Sequence, residues 1–266
     1  MPKASHHTQN KMPYRRLPNT DQARVRALRT AIAENERRVE KNDVMLPFGL
    51  VQDAKSFLNR FEKSLAQYKQ ALDSQVSANK SFQHETHAAR IYISHFIQVL
   101  NLAVVREDIK KDRKVFYGLD PDDFTVPDLS SETAILKWGQ NLINGEQRRI
   151  QEGGTPMYNP GIAKVRVHYD VFKERKESQK IYQQSTSRYL KLVADMRAEG
   201  DEIILSIWNE IEKRYASLPP YKRLLECQNY GLVYYYRRNE PQLTPESDVA
   251  YEAAAAAEQY ISFEQE

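Results

Sequence analysis

Three histidines within a short segment form the densest group of metal-ligand side chains in the sequence. His84 and His87 would share one face of a helix, and His95 follows His87 by eight residues. Pairs of histidines on a helix can bind metal ions. However, the sequence has neither the Glu-x-x-His motifs of di-iron bundles nor the His-Glu-x-x-His spacing of zinc proteases. We therefore expect no metal site and no cofactor, and regard His84, His87 and His95 only as weak metal candidates.

Signatures of nucleophilic catalysis and of phosphate-binding loops are absent from the sequence. The Gly153-Gly154-Thr155 turn lacks the Gly-Lys-Ser/Thr ending of a phosphate-binding loop, and no Gly-x-Ser-x-Gly elbow occurs. The only cysteine, Cys227, follows the apolar pair Leu224-Leu225, which is typical of a small buried hydrophobic residue. We identify no catalytic residue, and the sequence favours a non-enzymatic protein.

One short run combines aromatic and basic side chains and is the strongest candidate for an interaction site. It consists of Tyr234, Tyr235, Tyr236, Arg237 and Arg238. Aromatic rings beside arginines can stack on nucleic-acid bases. The alternative is an edge strand whose tyrosines cover the end of a helical bundle while its arginines face water. The total of 16 tyrosines also fits a protein interface, where tyrosine is enriched.

Two long tracts of the sequence almost lack helix-breaking residues. Neither glycine nor proline occurs between Gly49 and Gly118, and only Gly200 occurs between Gly161 and Pro219. A sheet protein needs turns far more often than this. The sequence therefore predicts an all-α fold, an elongated helical bundle with two long antiparallel helices over about 48–111 and 161–217, plus shorter helices.

The first tract keeps one heptad register from Val51 to Ala103, with a polar centre at Gln75, Asn79 and Thr86. Two interpretations are open: a hairpin turn near 73–80, or one continuous helix whose polar layer fixes its pairing register. The unbroken register favours the continuous helix. The second tract also has a polar centre, so we expect a layer in which Gln75 and Asn79 face Gln179 and Gln183.

Shorter elements flank the two tracts. Asn19-Thr20-Asp21-Gln22 predicts the start of a helix that runs to about Lys41, and Ser130-Ser131-Glu132 predicts the start of another that runs to about Gln151. Residues 230–238 resemble a strand and could pair with residues 114–119 in a small β-ribbon at one end of the bundle.

The domain organisation follows from composition and from a repeated tripeptide. We expect a flexible basic tail at 1–18, a helical bundle domain at 19–238 and a flexible acidic tail at 239–266, with a short helix near 253–257. Tyr-Gly-Leu occurs at 117–119 and again at 230–232, which raises an internal duplication of about 19–119 and 130–232. Alternatively, each long helix simply needs a glycine turn to end.

The charge and the apolar content bear on partners and location. The formal net charge is +3, and the acidic tail leaves only a mild basic excess in the body of the chain. This excess is too weak to predict nucleic-acid binding by itself. A single cysteine fits a reducing compartment, the first 20 residues contain no apolar segment, and polar residues interrupt the most apolar segment, 91–105. We expect a cytoplasmic protein without a membrane partner.

Several segments together resemble a bacterial family of helical proteins that has no known activity. They are the opening Arg16-Leu17-Pro18-Asn19-Thr20-Asp21, the segments 92–101 and 153–156, and Asn159-Pro160. The resemblance spans roughly 14–238 and implies a bacterial, non-membrane protein.

Three functional hypotheses remain. The favoured one is a non-enzymatic structural or protein-interaction role, as a scaffold or adaptor, with a protein partner or self-association. The second is nucleic-acid binding through the basic amino-terminal tail and the Tyr-Arg run. The third is a metal-dependent bundle enzyme centred on the three histidines.

Overall fold

The computed structural model describes residues 12–253 and is dominated by α-helices. The elements in chain order are β1 (Tyr14–Arg15), α1 (Asp21–Val39), α2 (Phe48–Val105), a 3-10 helix (Lys111–Tyr117), α3 (Glu132–Gln151), α4 (Ile162–Arg214), α5 (Pro220–Asn229) and β2 (Tyr234–Tyr235). Residues 245–253 are also helical, and the rest of the helix predicted near 253–257 lies outside the described residues. The predicted all-α class with two long helices is confirmed, whereas α5 was not predicted.

Helices α2 and α4 are each continuous and run antiparallel to one another. Asn79 is hydrogen bonded to Gln179, and the rings of Phe82 and Phe172 stack. Further along α2, the ring of Tyr92 stacks on His168. As the residue numbers of these contacts increase along α2, those of their partners on α4 decrease. The two helices are therefore antiparallel. The hairpin alternative near 73–80 is wrong, because an unbroken helix passes through these residues.

The chain forms two compact units, and both long helices contribute to each. Among the described residues, unit 1 comprises 12–67 and 190–253, and unit 2 comprises 68–189. The boundaries cut through α2 and α4 rather than following a loop. The internal duplication of 19–119 and 130–232 stays a prediction.

The core of unit 1 is formed by apolar faces of α1, α2 and α4. The heptad positions Val51, Ala54 and Phe61 are buried, as are Ile204 and Ile211 on α4. Full burial of such side chains contributes roughly 1.5–3 kcal/mol each. The heptad pattern thus located several of the buried positions of α2, but it missed Phe57, which is fully buried.

The core of unit 2 is formed by the second half of α2, the first half of α4, α3 and the 3-10 helix. It contains the predicted heptad residues Ile93, Phe96 and Leu100 together with Val165 and Phe172. Tyr117 and Leu119 close it from the segment that follows α2.

Side-chain caps set the beginnings of α1 and α3. The Thr20 hydroxyl accepts a hydrogen bond from the Ala23 amide at 3.2 Å, and the Ser131 hydroxyl accepts one from the Ala134 amide at 3.1 Å. Such caps satisfy amides that the helix itself leaves unpaired. The predicted helix starts are confirmed to within about two residues, with Thr20 rather than Asn19 as the cap.

The small β-ribbon exists, but its predicted partner strand was wrong. Tyr14 pairs with Tyr235 and Arg15 with Tyr234 in an antiparallel two-stranded sheet. The proposed partner, residues 114–119, begins instead within a 3-10 helix that ends at Gly118 in the left-handed conformation. Residues 14–15 and 234–235 are more than 200 residues apart, and no local pattern in the sequence indicates that they pair.

Within residues 12–253, α2 is the one helix that is apolar enough over an 18-residue window to cross a membrane, judged by length and composition alone. The buried share of that window is 39%. In unit 2, Ile93, Phe96, Ile97 and Leu100 are fully buried in the protein core, which accounts for much of the helix's apolar character.

Candidate functional site

The three candidate histidines lie along the second half of α2, and all are exposed. His84 contacts Glu85 through Nδ1 at 3.1 Å, and the side chains of His87 and His95 face solvent. Within residues 12–253, no group of three or more His, Cys, Asp or Glu side chains is placed to hold a metal ion. The metal hypothesis therefore gains no support from these residues.

The Tyr-Arg run lies on and after β2, and its tyrosines have different surroundings. The Tyr234 hydroxyl donates a 2.6 Å hydrogen bond to Glu212, which also accepts one from Arg15 at 2.9 Å. Burial, together with the Glu212 carboxylate, raises the pKa of Tyr234. Tyr234 thus anchors the ribbon to α4 rather than presenting a free ring.

Of the remaining members of the run, Tyr235 is exposed and Tyr236 is half-buried. Tyr235 stacks on Tyr14 with ring centroids 5.9 Å apart, and the Arg16 guanidinium lies 5.7 Å from its ring centre. The Tyr236 hydroxyl accepts a hydrogen bond from the Leu243 amide at 3.2 Å. Arg237 and Arg238 are exposed. The three rings therefore do not form one continuous stacking platform.

The predicted polar layer is joined by a single hydrogen bond. The Gln179 amide donates to Asn79 Oδ1 at 2.7 Å, in a solvent-accessible position. Gln75 is half-buried on α2 and Gln183 is exposed on α4. The layer is thus open to water, which reduces the energetic cost of its polar groups and its influence on pairing register.

Around this layer the two long helices bury almost nothing. No residue of α2 between 68 and 81 is buried, and within 173–189 of α4 only Thr186 is. The Thr186 hydroxyl lies 3.2 Å from the Ala71 carbonyl oxygen. This part of unit 2 is therefore a pair of contacting helices without a hydrophobic core.

One face of α2 in this coreless region carries a regular pattern of exposed side chains, which we call the α2 stripe. It consists of Lys69, Leu72, Val76 and Lys80, at spacings of three, four and four residues. Such spacing places all four on one side of a helix. Leu72 is 38% exposed and Val76 49%, and within residues 12–253 neither lysine lies within ion-pair distance of a carboxylate.

A cavity of about 660 Å³ lies in unit 1 between α1, α5 and the ribbon. Arg16 and Tyr235 line it from the two strand segments, Arg26 from α1, and Gln228 from the end of α5. The side chain of Trp208, which is 1% exposed, forms part of its wall. Of the predicted interaction residues, Tyr235 alone lines this cavity.

A fully buried ionic network in unit 2 has almost no signature in the sequence. The Glu146 carboxylate accepts hydrogen bonds from the Tyr117 hydroxyl, from Arg149 at 2.9 and 3.0 Å and from the Met157 amide at 2.7 Å. Arg149 also donates to the Thr155 carbonyl oxygen at 2.6 Å. Burial, reinforced by Glu146, raises the pKa of Tyr117.

All the acceptor positions of this network are occupied from within the protein, so it anchors the loop after α3 and offers no free group to a substrate. The three-residue spacing of Glu146 and Arg149 is its only sequence signal, and that spacing is common on solvated helix faces.

Cys227 is fully buried in unit 1, and burial raises the pKa of its thiol. A thiol without thiolate character is a poor nucleophile, so Cys227 acts as a packing residue.

Comparisons of the chain with protein-family models, with curated proteins and with solved structures found no match.

Proposed function

We propose that the chain is a non-enzymatic adaptor whose α2 stripe binds an acidic amphipathic helix of a partner protein. The observation that carries this proposal is the coreless region of unit 2, where apolar side chains occur at helix-packing spacings yet remain exposed. Apolar residues at such spacings are the feature that a docking helix recognises.

The charge of this region favours an acidic partner over a second copy of the chain. Residues 68–81 and 173–189 contain seven basic and three acidic side chains. Two copies that paired through this surface would bring like charges together, whereas an acidic partner would be attracted to it.

The arrangement also favours a protein partner over nucleic acid. The two lysines of the stripe are about 16 Å apart at ~1.5 Å per residue, and Leu72 and Val76 lie between them. A nucleic-acid backbone would gain nothing from the two apolar side chains, since its affinity comes mainly from closely spaced phosphate contacts. An amphipathic helix with acidic residues on both sides of an apolar centre would match all four positions.

The test uses the tagged full-length chain and two variants of the stripe. Leu72→Ser/Val76→Ser removes the apolar centre, and Lys69→Glu/Lys80→Glu reverses the charge. Matched controls are Val105→Ser, an exposed apolar residue of the same helix, and Lys63→Glu, an exposed lysine on another face of α2. Proteins recovered from nuclease-treated lysate are quantified by mass spectrometry, and the bound segment is then titrated as a synthetic peptide.

The proposal predicts a protein that both stripe variants lose and both controls retain. The binding segment of this partner should be acidic and amphipathic. Each stripe variant should lower the affinity for the synthetic peptide by about tenfold or more. Retention of every partner by both stripe variants would refute the proposal. So would recovery of nucleic acid alone, or a doubled molecular mass in light scattering that the stripe variants abolish.

A further inference from the structure

The cavity in unit 1 has a positively charged lining. Within residues 12–253, this lining includes Arg16 and Arg26 but no aspartate or glutamate. At about 660 Å³ its volume falls within the roughly 300–1,000 Å³ of small-molecule sites.

The two arginines differ from most of their neighbours in unit 1. Arg15, Arg24, Arg29, Arg38, Arg60 and Arg197 all form ion pairs with carboxylates. Among the residues that the structure describes, no carboxylate lies within ion-pair distance of Arg16 or Arg26. Both arginines line the cavity while remaining accessible to solvent. Each guanidinium group can therefore donate hydrogen bonds to an anion that enters from solution.

The nearest acidic residue along α1 is engaged elsewhere. Asp21 accepts two hydrogen bonds from Arg197 on α4, at 2.8 and 2.9 Å. It is therefore held against α4, and it does not line the cavity. Within residues 12–253, the positive charge of the cavity is thus left without an acidic counterpart.

The rest of the lining suits an organic molecule rather than a bare ion. Asn19, Thr30 and Gln228 offer neutral polar side chains, while Leu17 and Leu232 offer apolar ones. The lining thus combines polar and apolar side chains in similar measure, so it can contact both the charged and the uncharged parts of an organic anion.

Gly231 shapes the wall of the cavity. It has a φ of +81°, and a Cβ atom at this position would lie 3.2 Å from the Thr30 Cβ. Only glycine adopts this conformation readily and lets the segment before β2 approach α1 so closely.

We propose that this cavity binds a small organic anion with two negative charges, a phosphate monoester or a dicarboxylate, held by Arg16 and Arg26. The guanidinium groups supply bidentate donors for either chemistry, and Asn19, Thr30 and Gln228 contact the uncharged part of the ligand. This site is separate from the α2 stripe, which belongs to unit 2, so either proposal can fail without the other.

The experiment follows Trp208 fluorescence in the full-length Trp138→Phe variant, in which Trp208 is the only remaining tryptophan. The probes are inorganic phosphate, ribose 5-phosphate, adenosine monophosphate and succinate, with adenosine as the uncharged comparison. Each is titrated to about 1 mM at physiological salt, where non-specific charge attraction is screened. Arg16→Gln and Arg26→Gln test the site, and Arg238→Gln, an exposed arginine outside the lining, is the control.

We expect at least one organic anion to bind, with affinity reduced about tenfold or more by Arg16→Gln and by Arg26→Gln but unchanged by Arg238→Gln. Preference for ribose 5-phosphate or adenosine monophosphate over succinate would identify a phosphate ester, and the reverse a dicarboxylate. The proposal would be overturned if none of the probes bound. It would also be overturned if all three arginine variants lost affinity for the ligand to the same extent. Thermal unfolding of each variant confirms that the fold is intact.

Discussion

At the scale of single residues, Gly200 shows a second reason for a glycine inside a long helix. A glycine inside a long helix suggests a kink, because glycine is a poor helix former. Yet α4 is continuous from Ile162 to Arg214. A Cβ atom at Gly200 would lie 2.8 Å from Cζ of the buried Phe57 ring. The glycine is therefore required by the close approach of the Phe57 ring on α2.

We predict that Gly200→Ala lowers the free energy of unfolding by about 1–3 kcal/mol, despite the better helix propensity of alanine. The Phe57 ring is fully buried and cannot move without disturbing its neighbours. The matched control is Gly49→Ala at the start of α2, where a Cβ atom would meet nothing within 4 Å. Urea denaturation measures both variants, and equal stability of the two would show that the contact with Phe57 costs nothing.

At the scale of elements, α2 is one helix with unequal parts. Its second half packs Ile93, Phe96 and Leu100 into the core of unit 2, while none of residues 68–81 is fully buried. Both parts belong to the same continuous helix. However, only the part that contains Ile93, Phe96 and Leu100 is held by tertiary packing. Because isolated helical segments are marginally stable, packing decides how often each part opens.

Hydrogen exchange should therefore differ along this single helix. We expect the amides of residues 68–81 to exchange at least tenfold faster than those of residues 93–104, since opening the coreless region exposes little apolar surface. Peptide-resolved mass spectrometry of the full chain measures both regions in one experiment. Equal protection of the two regions would show that something covers residues 68–81 in the free protein.

At the scale of the whole molecule, each compact unit has a hydrophobic core of its own and one tryptophan. Trp208 is buried in unit 1, and Trp138 packs partly buried against the core of unit 2. The two residues are the only tryptophans in the chain. Single-tryptophan variants can thus report on the unfolding of each unit separately.

We predict that a core substitution in one unit shifts the urea unfolding midpoint reported by the tryptophan of that unit more than the midpoint reported by the other tryptophan. Phe61→Ala in unit 1 should shift the urea midpoint seen by Trp208 (in Trp138→Phe) more than the midpoint seen by Trp138 (in Trp208→Phe). Phe96→Ala in unit 2 should do the reverse. Each substitution removes a fully buried ring, at a cost of about 3–5 kcal/mol. Identical shifts at both reporters would mean that the units unfold as one cooperative body.

The sequence by itself determined the helices and most of their buried faces. Breaker-free tracts and an unbroken heptad register depend on backbone and side-chain preferences that act within one helix. Residues such as Phe61, Phe96 and Ile204 could therefore be assigned to the core from their positions in these patterns alone. The solvent-accessible position of the Asn79–Gln179 pair could not be predicted from the sequence, because burial of a polar layer depends on what else packs around it.

The tertiary structure alone decided the features that involve distant segments. The pairing of Tyr14–Arg15 with Tyr234–Tyr235, the network around Glu146 and the cavity of Arg16 and Arg26 each join residues from different elements. Short strands and ordinary charged residues carry no local preference for one partner over another. Their partners are chosen only when the packing of the long helices brings them together, so the cavity became visible only at that level.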